Sequence, residues 1–241
     1  MKVEYTASTL KGKLNIVNQD RVFVDNSILS GGSITGTKPD SILAIVCDGV
    51  GSDARGNYAA EIVTREFLNV HAENVSPQLV NEKIKTINRK LLDIDHVCFE
   101  NSGNMTTTVA GLAIHHDHIL IFNVGDTRIY ALNTEESIKI TEDHIEIESC
   151  PSNSDDCTVL TKWLGGDKGH WYPTIRTGRI KQDVCYFLIC SDGFYNSVNA
   201  DELYLLVNKT DSIDSIQSEL ERQLSVDTDD DASWILIKMT R

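Results

Sequence analysis

Six apolar residues in a row, Ile42-Leu-Ala-Ile-Val-Cys47, end at a carboxylate, Asp48, with glycines at 49 and 51 close behind. A run with no polar position reads as a strand buried on both faces. A charge at the end of such a strand is too costly to leave unpaired, so Asp48 must meet a cation or a hydrogen-bond donor. Two further strands end the same way, Ile119-Leu-Ile-Phe-Asn-Val-Gly125-Asp126 and Val184-Cys-Tyr-Phe-Leu-Ile-Cys190-Ser-Asp192-Gly193. The mirror order also occurs, with Asp20 ahead of Val22-Phe-Val24 and Asp230 ahead of Ser233-Trp-Ile-Leu-Ile237. In an antiparallel sheet the end of one strand lies beside the start of its neighbour. Five aspartates can therefore converge on one edge.

The rest of the chain supplies layers around these strands. Residues 3–8 alternate weakly as a first strand, Gly12-Lys-Leu-Asn15 reads as a turn, and residues 31–40, dense in Gly, Ser, Thr and Pro, read as a loop. Ala59, Ile62, Val63, Phe67 and Val70 lie at helical spacing, and Ser76-Pro77 caps a second apolar stripe on Val80, Ile84, Ile87 and Leu91. Strands return from Thr107 to Thr141, with His115-His-Asp-His118 as a hairpin turn rather than a metal site. Residues 145–158 show no period and read as a surface excursion. Strand character resumes at Val159-Leu160 and at residues 171–180. Two helices, around Leu203–Val207 and Ile213–Leu224, precede a last strand at 234–239. No strand-helix-strand alternation runs through the middle, which disfavours a doubly wound parallel sheet. The expected class is α/β (α+β): an αββα sandwich of two mainly antiparallel sheets flanked by helix pairs, in one domain spanning 1–241.

The balance of 22 basic against 36 acidic residues gives a net charge of −14, which repels nucleic acid and anionic membranes. The six cysteines show no CxxC spacing and mostly sit in apolar company, so they read as core residues of a reducing compartment. No segment has the apolar length of a membrane span, and residues 1–6 lack the apolar stretch of a signal peptide. The expected location is the cytoplasm.

The aspartates sit in short motifs that, taken in order, resemble the metal-dependent Ser/Thr protein phosphatases of the 2C type. Asn18-Gln-Asp20-Arg21 is similar to that family's first motif, and Asp48-Gly49-Val-Gly51 to its DGxGG loop. Met105-Thr-Thr-Thr108 resembles MGTT, Gly125-Asp126-Thr-Arg128 resembles GDSR, and Thr141-Glu-Asp143-His144 approximates TxDH. Val159-Leu-Thr-Lys-Trp-Leu164-Gly165 resembles a short LTRALG strand, Cys190-Ser-Asp192-Gly193 resembles CSDG, and Asp230-Asp-Ala-Ser-Trp234 the closing D-N-x-S/T-V. Any one triplet is weak evidence, but this many in order is specific.

The resemblance implies a role for each position. Asp48 would bridge two Mg²⁺ or Mn²⁺ ions and the Gly49 carbonyl would ligate one. Asp192 and Asp230 would complete the coordination of the second ion, Asp20 would act through water, and Asp126 would help hold a third ion. Catalysis would rest on Asp48, Asp192 and Asp230. All-oxygen donors suit these hard cations rather than zinc. The reaction would be hydrolysis of phosphoserine and phosphothreonine in proteins by direct attack of water, opposing a Ser/Thr kinase, and the protein would be a monomer.

Some positions depart from the family. An arginine that grips the substrate phosphate is replaced by Asn15, so Lys13, Asn15 or Arg21 would have to bind phosphate instead. Ser52 replaces the last glycine of DGxGG, Val50 stands where some members carry histidine, Thr106 replaces the glycine of MGTT, and Asp231 the asparagine after the metal ligand. Residues 145–158 occupy the place of a substrate-selecting flap. Asn15 leaves a second reading open, a phosphatase-like domain that binds a phosphoprotein without turning it over.

Overall fold

The computed structural model describes residues 1–50, 55–99, 105–149, 156–166, 171–210, 212–224 and 228–240. Gly51, Ser52 and the centre of the excursion at 150–155 lie outside the described residues. The strands in the first half are β1 (Lys2–Leu10), β2 (Arg21–Val24), β3 (Ser27–Leu29), β4 (Gly32–Lys38), β5 (Ser41–Cys47) and β6 (Gly49–Val50), followed by helices α1 (Gly56–Glu66) and α2 (Pro77–Phe99). Then come β7 (Thr106–Thr107), β8 (Val109–His115), β9 (His118–Val124), β10 (Arg128–Leu132), β11 (Ser137–Lys139), β12 (Ile145–Ser149), β13 (Asp156–Leu160), β14 (Thr174–Arg179) and β15 (Tyr186–Cys190). The chain closes with α3 (Asp192–Ser197), α4 (Leu203–Val207), α5 (Ile213–Leu224) and β16 (Ala232–Thr240).

Two six-stranded sheets form the centre, in the orders β11-β10-β15-β16-β1-β4 and β14-β9-β8-β5-β2-β3. Each neighbouring pair in them is antiparallel. The unbroken apolar strands are explained by three separate cores. Along β5, Ile42, Ala44 and Val46 point between the sheets, while Leu43, Ile45 and Cys47 face α1 and α2. Along β16, Ile235 and Ile237 point between the sheets, while Trp234 and Leu236 face the helices α3 to α5. With side chains alternating across a strand, a sheet covered on both faces needs apolar residues at both parities. The fold is the expected αββα sandwich. Ser76 caps α2 as its sequence indicates, its Oγ accepting from the Leu79 N–H at 3.2 Å.

Two local expectations are corrected. Residues 31–40 are not simply a loop, because β4 occupies Gly32–Lys38 and pairs with β1 from Val3 to Thr9. Its composition suits a sheet edge half open to solvent, and Gly36 lies so close to the Tyr5 ring that an added Cβ would come within 2.4 Å of it. Part of the 145–158 excursion is a ribbon, with Ile145 opposite Leu160 and Ile147 opposite Thr158. A short helix that the sequence reading did not include, α3, starts at Asp192 itself.

Register brings the aspartates to one end of the sandwich. Arg21 pairs with Cys47, so Asp20 and Asp48 are the next positions on neighbouring strands. Cys190 pairs with both Trp234 and Arg128, which places Asp192, Asp230 and Asp126 at the same end of the other sheet.

Candidate active site

Close backbone approach makes room for the aspartates. A Cβ on Gly49 would stand 2.4 Å from the Gly56 carbonyl carbon, and one on Gly193 would stand 2.1 Å from the Asp231 carbonyl oxygen. Only glycine fits at either position. Gly125 adopts φ +106° just before Asp126, a conformation that favours glycine.

Between these loops lies a cavity of about 240 Å³ lined by Asn15, Gln19, Asp48, Gly49, Val50, Thr108, Asp126, Leu160, Asp192, Asp230 and Asp231. Asp20 is buried beneath it at 1% exposure, and neither of its carboxylate oxygens has a hydrogen-bond partner. The Ser233 and Ser191 hydroxyls favour its charged form, but Ser233 Oγ donates to Thr9 Oγ1 at 2.7 Å and Ser191 Oγ lies 3.5 Å from the Asp231 carbonyl. Asp230 is exposed at the rim.

Burial drives the carboxyl pKa values of Asp20, Asp48 and Asp192 above the usual range, and like charges push those of Asp20 and Asp48 further. Asp48 feels Asp20, Asp192 and Asp126, and it sits within reach of a proton shared with Asp192. Burial, then the Asp192 charge, lifts Asp126 from 3.8 to about 6. A buried acidic cluster with an orphaned carboxylate favours a divalent cation, and its oxygen-only donors fit Mg²⁺ or Mn²⁺. Among the described residues no three His, Cys, Asp or Glu side chains form a ready cage. An ion would thus draw much of its shell from water, as Mg²⁺ commonly does.

The structure separates the three candidate phosphate ligands. Asn15 reaches the cavity, its Nδ2 donating to Asp230 Oδ1 at 3.0 Å. Arg21 turns away, with Nε donating to Glu61 Oε2 at 2.8 Å and Nη1 donating to the carbonyls of Asn18 and Asp20. With those partners Arg21 does not line the cavity. Lys13 is exposed and does not line the cavity, and its backbone N–H donates to the Thr228 carbonyl at 3.1 Å.

Two supports were not legible from the motifs. Asp231, 3% exposed, accepts from the Gly12 N–H through Oδ1 and from the Gln19 N–H through Oδ2, both at 2.7 Å. It therefore ties both ends of the segment carrying Asn15 to the strand start that carries Asp230. Tyr195 on α3 is the other, its hydroxyl 3.5 Å from Asp126 Oδ2 and its ring 3.5 Å from the Arg128 guanidinium. The sequence marked Asp231 only by its place in the closing motif, where it replaces an asparagine beside Asp230, and nothing in the sequence marked Tyr195.

Arg128 supports the Asp126 loop. Its Nη2 donates to Asp143 Oδ2 at 2.8 Å, and Nε donates to both oxygens of the same carboxylate. Burial, the largest single effect, opposes its charge, but Asp143 together with Tyr195 and Tyr130 outweighs it and raises the Arg128 pKa. From the same segment, His144 Nδ1 accepts from the Gly125 N–H at 3.0 Å, so residues 141–144 clasp the loop rather than a metal.

The chain and its fold have counterparts among known proteins. The sequence model of the family described as Protein phosphatase 2C matches residues 13–225. The serine/threonine phosphatase stp of Listeria monocytogenes serovar 1/2a is 26% identical over 189 residues, covering 71% of this chain and 74% of that protein. The crystal structure of the serine/threonine phosphatase Stp1 from Staphylococcus aureus superposes with a TM-score of 0.78 at 25% identity, covering 98% of this chain and 95% of that one. The Streptococcus agalactiae serine/threonine phosphatase, at 22% identity and a TM-score of 0.77, shares the fold over 99% of this chain and all of that one.

Proposed function

The chain belongs to the protein phosphatase 2C family, and on that premise we propose that it hydrolyses phosphoserine and phosphothreonine in proteins by direct attack of water. The observation that carries the reading is the buried, unpartnered carboxylate of Asp20 beneath a cavity walled by Asp48, Asp126, Asp192 and Asp230.

Mg²⁺ or Mn²⁺ held by Asp48, the Gly49 carbonyl, Asp192 and Asp230, with Asp20 acting through water and Asp126 serving a third ion, would acidify a water and offset phosphoryl charge. The protein's own groups fix the rest. Among the described residues Thr108 is the only hydroxyl side chain lining the cavity, and its Oγ1 is engaged by Thr127 Oγ1 at 2.6 Å and by the Asp48 N–H at 3.3 Å. No serine, cysteine or histidine lines it among the described residues, which supports water rather than a side chain as nucleophile. Water is also the source of the proton for the departing seryl or threonyl oxygen. Asn15 offers an amide donor at the mouth in place of a cationic grip. The 241 residues act as one catalytic domain, monomeric and cytoplasmic, against phosphoproteins made by a Ser/Thr kinase; no described helix is long and apolar enough to cross a membrane.

The test is release of p-nitrophenol from p-nitrophenyl phosphate with added Mn²⁺, and of phosphate from a phosphothreonine peptide. Both are expected in the unaltered protein and absent in Asp192→Ala. Metal binding without release under any divalent ion would refute the reading.

A further inference from the structure

Beside the acidic cavity stand large aliphatic side chains that the fold leaves in water. Leu14 and Ile16, 78% and 93% exposed, flank Asn15, the residue that turns in to Asp230. Their segment is pinned rather than loose: the Leu14 N–H donates to the Asp229 carbonyl at 3.1 Å, and Lys11 Nζ donates to the Asn15 carbonyl at 2.7 Å. Leu160 of β13 lines the same cavity. Register places Ile145 opposite Leu160 and Ile147 opposite Thr158, so Ile145 and Ile147 share the ribbon face of Leu160. Ile147 is 72% exposed. One apolar rim is thus carried by the Asn15 segment and another by the ribbon.

Resting on the phosphatase reading and deepening it, we propose that these rims select the substrate: a phosphorylated segment with aliphatic side chains next to the phosphoserine or phosphothreonine. The occupant follows from continuity with the cavity. In an extended peptide, side chains one or two positions from the phosphorylated residue lie roughly 3–7 Å along the chain from it. Residues 14 and 16 are likewise one position either side of Asn15, and Ile147 is two positions along the ribbon from Ile145. An aliphatic neighbour would cover exposed apolar surface on a backbone already ordered, which lowers the entropic cost of binding. The acidic wall and the net charge of −14 disfavour acidic flanks.

Two phosphothreonine peptides of equal length test this, one with leucine on both sides of the phosphothreonine and one with serine. p-Nitrophenyl phosphate, too short to span the rims, is the reference. The unaltered protein is expected to favour the leucine peptide about tenfold in kcat/KM. In Leu14→Ser/Ile16→Ser, and separately in Ile147→Ser, that advantage should shrink through KM, relative to the reference ester. An unaltered protein with no preference, or variants that keep it, overturns the inference and leaves the phosphatase reading intact. A dimer in sedimentation that Leu14→Ser/Ile16→Ser dissociates also overturns it, because the rim would then join two copies. Failure of the unaltered protein to release p-nitrophenol with Mn²⁺ overturns the phosphatase reading and this inference together.

Discussion

Replacing Asp231 with alanine should loosen the whole acidic end of the molecule. The carboxylate is buried and holds two backbone N–H groups, those of Gly12 and Gln19, at 2.7 Å each. Alanine leaves both donors buried without a partner, at about 1–3 kcal/mol each. Part of that loss is returned, since the Asp231 charge adds to the repulsion around Asp20. A net cost of about 3 kcal/mol, at roughly 2–4 °C per kcal/mol for a chain of this size, lowers Tm by about 6–12 °C. Asparagine keeps one acceptor but turns an amide N–H toward the second donor, so Asp231→Asn should fall between alanine and the unaltered protein. Thermal unfolding followed by circular dichroism, with EDTA and with Mg²⁺, measures both variants. An Asp231→Ala protein melting within about 1 °C of the parent in both conditions would refute the argument that this carboxylate ties the segment down.

Other outcomes follow from the same geometry. Burial and then Asp192 raise Asp126 from 3.8 to about 6, so folding favours its protonated form. The resulting stability is complete below the unfolded pKa and is lost as pH rises through about 6, which for this group amounts to about 3 kcal/mol. Metal-free protein should therefore melt lower at pH 7.5 than at pH 4.5, and Mg²⁺ should recover the difference at pH 7.5; a metal-free Tm that is flat or rising contradicts this. Asn15→Arg places a charge-assisted donor at the cavity mouth and should lower KM for a phosphopeptide by about 5- to 150-fold, or ~1–3 kcal/mol. An unchanged or raised KM would show that other groups hold the phosphate. Arg128→Ala strips a bidentate partner from Asp143, whose side chain is 7% exposed, and should cost about 3 kcal/mol in a denaturant titration. A loss under about 0.5 kcal/mol would mean that Lys139, 3.1 Å from the same carboxylate, suffices alone.

The sandwich was legible in the sequence where both parities of a strand are apolar, as in Ile42–Cys47 and Ser233–Ile237, because only a sheet covered on both faces tolerates that pattern. The convergence of five aspartates followed from the same strands, since antiparallel pairing fixes which ends meet. Strand β4 was hidden because an edge strand needs only half its positions covered, and Gly36 is there to admit the Tyr5 ring. The ribbon was hidden because its two strands are short and its apolar face is open to solvent at Ile147. The direction Arg21 takes was hidden for a different reason. A cation beside an acidic motif suggests phosphate binding, but Glu61, forty residues on, claims it across the α1 packing. No local pattern encodes a partner at that separation.

The most direct test of the account is diffraction from crystals soaked in Mn²⁺ and phosphate, measured at the manganese edge. The account requires two anomalous peaks roughly 3.5–4 Å apart in the cavity, with Asp48 between them and Asp192 and Asp230 on one of them. Fully occupied manganese found only elsewhere on the surface, with Asp20 and Asp48 still bare, would contradict it.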